Sequence, residues 1–344
     1  MSKRINLAIV GLGHVAEHQM AAIKEIPDLE LIAVCDVSKR ALDARAGYTH
    51  RYVNIFDMLR REKDLDAVVV SVPNRSHYRV ALEAIDFGKH VLVEKPVTNT
   101  MEAFDTIAKR AKDRGVLFYT LFHAAHGKEV RHFMDTMYNK TINPGVPLNF
   151  EVDFSEPVIG RDGVPAPEAQ GWQGSWTDGG INAISVMRQI IPDEMRIVRV
   201  DMSHMPSHKF GEVCAKVYFE YDNGKSGLIT VDWTRVWSGR PNKNMRNVIL
   251  EYEDQRIILD SLERKVYQGG LREHDLAFPI ADFSQGPHTR LTEHYIGAFE
   301  DFVQHYRKRT DNQAFSRRCH EILFRAHQIE GQSRIRRGDE APFG

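Results

Sequence analysis

The chain has 344 residues, of which 42% are hydrophobic and 27% charged, and its 46 basic and 47 acidic side chains leave a formal net charge of −1. This length favours two domains, since one domain takes about 150 residues. The balanced charge excludes the basic surface that nucleic acid or an anionic membrane would require, so we expect a small-molecule partner.

The cysteines Cys35, Cys214 and Cys319 are too few and too far apart for a disulfide framework or a zinc spacing. No apolar run approaches the roughly 20 residues of a transmembrane helix. The first residues lead into an apolar strand without the separate apolar region of a signal peptide. We therefore expect a cytoplasmic protein.

From residue 5 to about 122, short β-branched runs alternate with helical patterns. The predicted strands are 5–10, 29–35, 67–72, 90–93 and 116–121, and the predicted helices are 14–25, 39–46, 76–87 and 100–114. This order is typical of βαβ units, and continuously apolar strands are typical of a parallel sheet buried on both faces. We predict an α/β fold whose amino-terminal domain, residues 1–123, is a doubly wound parallel sheet.

After residue 123 the strands become longer and alternate apolar with polar residues. The predicted strands are 148–154, 197–202, 214–221, 227–233, 247–252 and 255–260, and the predicted helices are 129–138, 180–190, 291–309 and 317–332. Alternation predicts an antiparallel sheet with one covered face. We therefore predict a second, α+β domain over residues 124–344 with a mainly antiparallel sheet.

A dinucleotide fingerprint, Gly-x-Gly-x-x-Ala, lies between the first strand and the first helix. Gly11 permits a tight turn, Gly13 lets the backbone approach a pyrophosphate, and the helix that begins nearby directs its amino terminus at the phosphates. The second strand ends in Asp36, which can accept hydrogen bonds from ribose hydroxyls. The cofactor contacts predicted here are Gly11, Gly13, His14, Val15 and Asp36.

An acid at the end of the second strand favours NAD over NADP, because it would repel a 2′-phosphate. Ser38, Lys39 and Arg40 follow directly and could hold that phosphate, so NADP stays possible. The alternative reading of Asp36 is an ordinary loop acid.

Two further segments follow neighbouring strands of the predicted parallel sheet, at the edge where such sheets bind ligands. The first contributes Ser71, Pro73, Asn74 and His77 as candidate cofactor contacts. Asn74 could instead cap the next helix, and His77 could be a histidine on a helix face. The second, Glu94-Lys95-Pro96, places a lysine at the end of an apolar strand, which is also where many solvated lysines occur.

With the fingerprint, Ser71 to His77, and Gly88 to Pro96 in this order, the chain resembles the Gfo/Idh/MocA family of pyridine-nucleotide sugar oxidoreductases over nearly its whole length. The resemblance implies an NAD(P)-binding Rossmann domain and a large open antiparallel sheet that carries the sugar site. It also implies a homodimer or homotetramer formed through that sheet. Lys95 would lie beside the nicotinamide and substrate, with Glu94 near the cofactor.

The segment from Trp176 to Ser185 matches the family's acid, glycine and histidine pattern at a helix start, with Asn182 in the place of histidine. In this it resembles the branch with D-galactose and L-arabinose 1-dehydrogenases. The sugar-contacting residues that this implies are His123, Glu156, Trp172, Trp176 and Trp233. Each tryptophan could instead belong to the core.

This resemblance implies oxidation of an aldose at C1 to an aldonolactone. Asp178 would accept the hydroxyl proton, Lys95 would polarise the hydroxyl, and Asn182 would orient the sugar. Lys95 could itself be the base. Without the resemblance, Asp178 would be read as a helix cap and Asn182 as a satisfied polar residue.

Other activities stay open from the sequence. They are oxidation of an inositol or of another sugar or polyol at a different carbon, reduction of a carbonyl, and NAD(P) binding by a transcriptional regulator that has no turnover. The histidine pairs His123 with His126 and His204 with His208 lack a third ligand nearby, so we expect no metal site.

Overall fold

The computed structural model describes residues 3–45, 47–48, 50–138, 145–160, 163–166, 173–192, 194–205, 211–222, 224–234, 245–271 and 277–337. The chain divides into two units. The first comprises Met1–His126 and Leu291–Arg317, and the second comprises Gly127–Arg290 and Arg318–Gly344. The predicted boundary at residue 123 lies close to the observed one. The prediction of one continuous domain over 124–344 is corrected, because Leu291–Arg317 returns to the first unit.

The described residues contain fourteen strands and nine α-helices. The strands are β1 Ile5–Val10, β2 Leu29–Cys35, β3 Arg51–Tyr52, β4 Ala67–Val70, β5 His90–Glu94, β6 Phe118–Leu121, β7 Asn149–Asp153, β8 Arg196–His204, β9 Glu212–Tyr221, β10 Lys225–Asp232, β11 Asn247–Glu251, β12 Arg256–Asp260, β13 Lys265–Gly269 and β14 Phe278–Asp282. The helices are α1 His14–Glu25, α2 Lys39–Asp43, α3 Ile55–Arg61, α4 Asn74–Asp86, α5 Met101–Arg114, α6 Lys128–His132, α7 Ile181–Ile190, α8 Arg290–Lys308 and α9 Gln313–Arg337.

The first unit contains a six-stranded, wholly parallel sheet in the order β3-β2-β1-β4-β5-β6. Every residue of β4 is fully buried, as the continuous apolar run predicted. The strand order changes direction between β1 and β4, which is the point at which doubly wound sheets bind their ligands. The predicted α/β Rossmann architecture is confirmed.

Two apolar cores cover the two faces of this sheet. One contains residues of α3, α4 and α5 packed with β4 and β5. The other contains α1 and the far end of the chain, because Tyr295, Phe299 and Phe302 of α8 pack with Leu92 and Tyr119. The first unit is therefore completed by a helix distant in sequence.

The second unit contains an eight-stranded sheet in the order β14-β13-β12-β11-β7-β10-β9-β8. Its neighbours are antiparallel except β7 and β10, which run parallel, so the prediction of a mainly antiparallel sheet is confirmed. Along β9, buried Ala215, Val217 and Phe219 alternate with less buried residues, which leaves one face covered and one open. Among the described helices, none combines the length and apolar character needed to cross a bilayer.

Candidate active site

The turn between β1 and α1 requires a glycine at its start and leaves open space at its second glycine. Gly11 has a φ of +97°, and a Cβ atom there would lie 2.4 Å from the carbonyl oxygen of Ser71. At Gly13 a Cβ would meet no atom within 4 Å. Gly13 also precedes α1 without a side-chain cap, so the first amides of this helix are left for another acceptor. This cradle fits the pyrophosphate of a dinucleotide.

The next two residues begin α1 and differ in exposure. His14 is exposed, and its ring stands edge-on to His18 at a centroid distance of 5.2 Å. Val15 is half-buried against the core beneath the helix. A phosphate contact in this turn therefore falls to the backbone, with His14 beside it.

Asp36 is fixed at the carboxyl end of β2 by two backbone amides. One carboxylate oxygen accepts a hydrogen bond from the Leu12 N–H and the other from the Ser38 N–H, both at 2.7 Å. Ser38 caps α2 by accepting from Ala41, and Lys39 is exposed at the start of that helix. Each carboxylate oxygen keeps a lone pair that could accept from a ribose hydroxyl.

The loop after β4 is tied to α1 through a buried amide. The Ser71 hydroxyl donates to Oε1 of Gln19 at 2.6 Å. Pro73 precedes α4, whose first residue is the half-buried Asn74, and the Ser76 amide donates to the Pro73 carbonyl at 2.7 Å. The predicted cofactor segment thus lies at the carboxyl edge of the sheet, as expected.

His77 does not present its ring nitrogens to a ligand. The ring is 1% exposed, with Nδ1 2.8 Å from the carbonyl oxygen of Pro96 and Nε2 2.8 Å from that of Val72. Burial lowers the pKa of His77, and the two carbonyls partly offset this effect. The prediction of a direct cofactor contact is corrected, because both polar atoms face the protein backbone.

Glu94 points into the first unit, where it supports the backbone beside Lys95. Its Oε1 accepts from Gln19 Nε2 at 2.8 Å and from the Tyr295 hydroxyl at 2.6 Å, and its Oε2 accepts from the Lys95 amide at 3.2 Å. Burial raises the pKa of Glu94, against the opposing effect of these donors and of the Lys95 charge. The predicted cofactor contact is thus an internal carboxylate. Lys95 itself is half-buried and precedes a cis peptide bond to Pro96.

His123 follows β6 in a short 3₁₀ turn, His123–His126. Its ring is 6% exposed and lies 5.1 Å from that of Tyr295 and 5.9 Å from that of His294, centroid to centroid. The sequence-predicted sugar contact is therefore part of an aromatic cluster in the first unit.

In the second unit, a π-helical turn, Trp176–Gly180, carries Asp178 directly into α7. Asn182 donates from Nδ2 to the Asp178 carbonyl at 3.2 Å, and its buried Oδ1 accepts no hydrogen bond from the described residues. A buried acceptor without a partner is costly, so this oxygen is suited to a ligand hydroxyl. Single π-helical turns are common at functional sites.

Glu212 holds this turn in place and was not predicted. Its Oε1 accepts from the backbone amides of Trp176 and Thr177 at 2.8 and 3.1 Å. It lies on β9, far from the turn in sequence, and no local pattern connects them.

Two predicted sugar contacts have structural roles instead. Trp176 is fully buried and donates from Nε1 to the Leu323 carbonyl at 3.1 Å. Trp233 packs in an apolar cluster with Val158, Ile159 and Val213. Both tryptophans are therefore core residues, because their rings are buried within the second unit. Trp172 lies outside the described residues.

Glu156 forms an ion pair instead of standing free. Its Oε1 accepts from Nε of Arg246 at 2.8 Å, and from Nη2 as well. Burial and the nearby Arg246 lower the pKa of Arg290, in the same region, to about 10. The predicted substrate acid is therefore occupied by a neighbouring arginine. Among the described residues no three histidine, cysteine or acidic side chains could hold a metal, and His208 lies outside them.

The supporting residues differ in how far the sequence could have revealed them. Gln19 lies on α1 among the buried Ala16, Met20 and Ile23, and a polar residue on an apolar helix face is a recognisable signal. Tyr295 gives no such signal, because its link to Glu94 joins segments that are distant in sequence.

Comparison with known proteins supports the nucleotide site. Residues 5–122 match the Gfo/Idh/MocA family model, which is described as an oxidoreductase family with an NAD-binding Rossmann fold. The chain is also 22% identical over 280 residues to myo-inositol 2-dehydrogenase from Thermotoga maritima, an alignment that covers 78% of this chain and 76% of the relative.

Solved structures match the fold over almost the full chain. D-galactose-1-dehydrogenase from Rhizobium etli has a TM-score of 0.70 at 21% identity, covering 92% of this chain and 93% of its own. An oxidoreductase from Agrobacterium radiobacter, in complex with NAD⁺, L-tartaric acid and magnesium, has a TM-score of 0.79 at 14% identity and covers 95% and 96%. At these identities the likeness shows a shared fold.

Proposed function

We propose that the chain belongs to the Gfo/Idh/MocA oxidoreductase family and oxidises a hydroxyl of a sugar or polyol. The match of residues 5–122 to that family's model, with its NAD-binding Rossmann fold, supports this proposal. The observation that carries this proposal is the arrangement at one sheet edge of the first unit. There the space over Gly13 follows β1, the fixed carboxylate of Asp36 follows β2, and the half-buried Lys95 follows β5. A bound NAD⁺ would supply the hydride acceptor.

We favour NAD over NADP as the cofactor. Asp36 is anchored by two amides, so its charge cannot easily move away from a 2′-phosphate. Titration with NAD⁺ and NADP⁺ separately should give tighter binding of NAD⁺. In Asp36→Asn, the difference in affinity between NAD⁺ and NADP⁺ should become smaller. Preferential binding of NADP⁺ by the wild type would assign Lys39 and Arg40 to the phosphate instead.

The substrate we propose first is an aldose oxidised at C1. The C1 hydrogen leaves as hydride, the hydroxyl proton passes to a base, and the C1–O bond becomes the carbonyl of an aldonolactone. Asn182 supports this choice, since it replaces the histidine of the family pattern and offers a buried amide oxygen to a sugar hydroxyl. The second candidate is an inositol, which the similarity to myo-inositol 2-dehydrogenase favours.

For the residue roles we propose Asp178 as the proton acceptor and Lys95 as the group that polarises the reacting hydroxyl. Asp178 is half-buried in a turn held rigidly by Glu212, which would keep its carboxylate in one position. The backbone amide of Lys95 donates to the buried carboxylate of Glu94, which fixes the main chain beside the lysine. His123 stays a predicted sugar contact.

Initial rates on a panel of aldoses and inositols, with NAD⁺ and NADP⁺ separately, test the proposal. We expect a rate with at least one aldose and NAD⁺. A rate with myo-inositol and none with any aldose would replace the first substrate with the second. No rate on the whole panel, together with no NAD⁺ binding, would contradict the proposed function.

The base is assigned by pH profiles of kcat for Lys95→Met and Asp178→Asn. We expect each to lose about 10²- to 10⁴-fold in kcat, which is the usual range for acid–base groups. The matched controls are Lys109→Met and Asp113→Asn, each of which removes one partner of an exposed ion pair on α5. Near-normal turnover in Asp178→Asn would move the base assignment to Lys95.

We also propose that two copies associate through the open face of the second sheet. Five apolar or aromatic side chains lie in one row across this face: Tyr218 and Leu228 on one side of the exposed Glu151 of β7, and Ile249, Ile258 and Tyr267 on the other. These five are only half-buried in the single chain. Apolar side chains in such a row are suited to a self-complementary contact with a second copy.

Light scattering after size-exclusion chromatography tests this contact. Ile249→Arg should shift the mass toward one chain, while Val198→Glu, at an exposed apolar residue of the edge strand β8, should not. An unchanged mass for Ile249→Arg would exclude this face.

A further inference from the structure

We infer that His77 is a positioning residue for Lys95, because its buried ring joins the segment that carries this lysine to the end of the neighbouring strand. The expected effect of His77 on the reaction rate rests on the proposed function. The contacts of its ring lie wholly within the first unit and do not depend on that function.

The ring acts where the sheet's own hydrogen bonds end. The β4–β5 ladder pairs Val70 with Val93 as its last residues. Beyond this pair the chain continues to Val72 on one side and to Pro96 on the other, and the ring nitrogens of His77 lie 2.8 Å from both carbonyl oxygens. His77 thus extends the contact between these segments past the ladder, on the strand that leads to Lys95.

The same loop is packed against the nucleotide fingerprint. At Gly11 a Cβ atom would lie 2.4 Å from the Ser71 oxygen and 2.6 Å from the Val72 nitrogen, so the two backbones already touch. His77 lies between the next carbonyl of that loop and the carbonyl of Pro96, and its ring donates to one of them when it is neutral and to both when it is protonated. It therefore fixes the distance between the fingerprint turn and the backbone of Lys95.

Precise placement of this kind matters because hydride and proton transfer need the reacting groups at near-contact distance. A displacement of about 1 Å can lower the rate about 10²-fold. The ring is 1% exposed and both nitrogens face carbonyls, so its contribution to the rate would be indirect, through Lys95.

The first experiment measures kcat and KM for His77→Phe and His77→Gln. Phenylalanine keeps most of the ring volume and removes both polar contacts, whereas glutamine keeps an amide NH2 group that can still donate. We expect kcat to fall about 10- to 100-fold in His77→Phe and less in His77→Gln, with the KM for NAD⁺ nearly unchanged. If His77→Phe does not fold, His77→Gln is compared instead.

A double-mutant cycle separates positioning from general destabilisation. In a Lys95→Met background, His77→Phe should cause no further loss of kcat, because the group that it positions is gone. His90→Phe is the control, since His90 is a half-buried histidine on the same sheet whose Nδ1 accepts from the Leu117 amide. It should lower the melting temperature without affecting kcat. Additive losses for His77→Phe and Lys95→Met would overturn the inference.

A second readout needs no turnover. In cofactor-free protein with ¹³C-dimethylated lysines, the Lys95 resonance is assigned by its disappearance in Lys95→Met. We expect it to shift or split in His77→Phe or His77→Gln, and to stay in place in His90→Phe. An unchanged resonance in a folded His77 variant would overturn the inference. If the wild type turned over no sugar or polyol, the proposed function would fail while this test still stood.

Discussion

The two glycines of the fingerprint turn should respond differently to the same added methyl group. Gly11→Ala forces an alanine to a φ of +97° and places its Cβ 2.4 Å from a backbone oxygen, against at least 3.4 Å for ordinary contact. The strained backbone alone costs about 1–3 kcal/mol. The reduced freedom of the unfolded chain returns at most about 1 kcal/mol. With the clash added, we expect the free energy of unfolding to fall by about 2 kcal/mol or more.

Gly13→Ala meets neither obstacle, because its φ is −71° and its Cβ would enter open space. The free energy of unfolding should therefore change by no more than about 1 kcal/mol, through the altered helix cap. If that space receives the pyrophosphate, however, the methyl group will raise the Kd for NAD⁺ by at least about 10-fold, which is about 1.4 kcal/mol.

Thermal unfolding and NAD⁺ titration of both variants measure these effects. The melting temperature should fall by about 4 °C or more for Gly11→Ala, at about 2–4 °C per kcal/mol, and little for Gly13→Ala. NAD⁺ binding should weaken in both. If Gly13→Ala bound NAD⁺ as tightly as the wild type, the assignment of this space to the cofactor would be refuted.

Three further substitutions test the buried groups. Burial raises the pKa of Glu94, so the folded state holds this proton more tightly than the unfolded chain does. The free energy of unfolding therefore falls as the pH rises above about 4.5. In Glu94→Gln, the urea midpoint should decline less between pH 5 and 7 than in the wild type. Trp176→Ala should destabilise the fold by about 3–5 kcal/mol in urea unfolding, and a loss of sugar affinity without that loss of stability would restore its predicted substrate role. Arg246→Met leaves the Glu156 carboxylate without its ion-pair partner and should cost about 3 kcal/mol, whereas adding Glu156→Leu should recover stability in the same assay.

The elements of the first unit that follow a strong local pattern were predictable from the sequence. β1, α1 and β2 have the predicted bounds, because apolar runs and the glycine turn fix them locally. β3 was missed because it is two residues long and owes its place to pairing with β2. The last two strands, β13 and β14, at one end of the second sheet, were missed as well.

The site divides in the same way. The cradle at Gly11 and Gly13 and the anchoring of Asp36 lie within a few residues of a recognisable motif. Whether Trp176 or Trp233 faces a ligand or a core is decided by residues far along the chain, such as Leu323, which periodicity does not reveal. The partner of Glu156 is likewise distant in sequence, and an isolated acid carries no sign of an arginine that will pair with it.

The return of α8 to the first unit also constrains when that unit can fold during synthesis. Tyr119 packs against Phe302, and its hydroxyl donates to Asp301 at 2.6 Å. A nascent chain that has emerged from the ribosome only as far as His126 has its six strands but lacks this helix, so the face that α1 and α8 share is only partly covered. The eight strands of the second unit are all translated in between, but that unit also waits for its own last segment, Arg318–Gly344, which follows α8 and supplies the Leu323 carbonyl that accepts from Trp176. Translation begins with the nucleotide fold and completes it late.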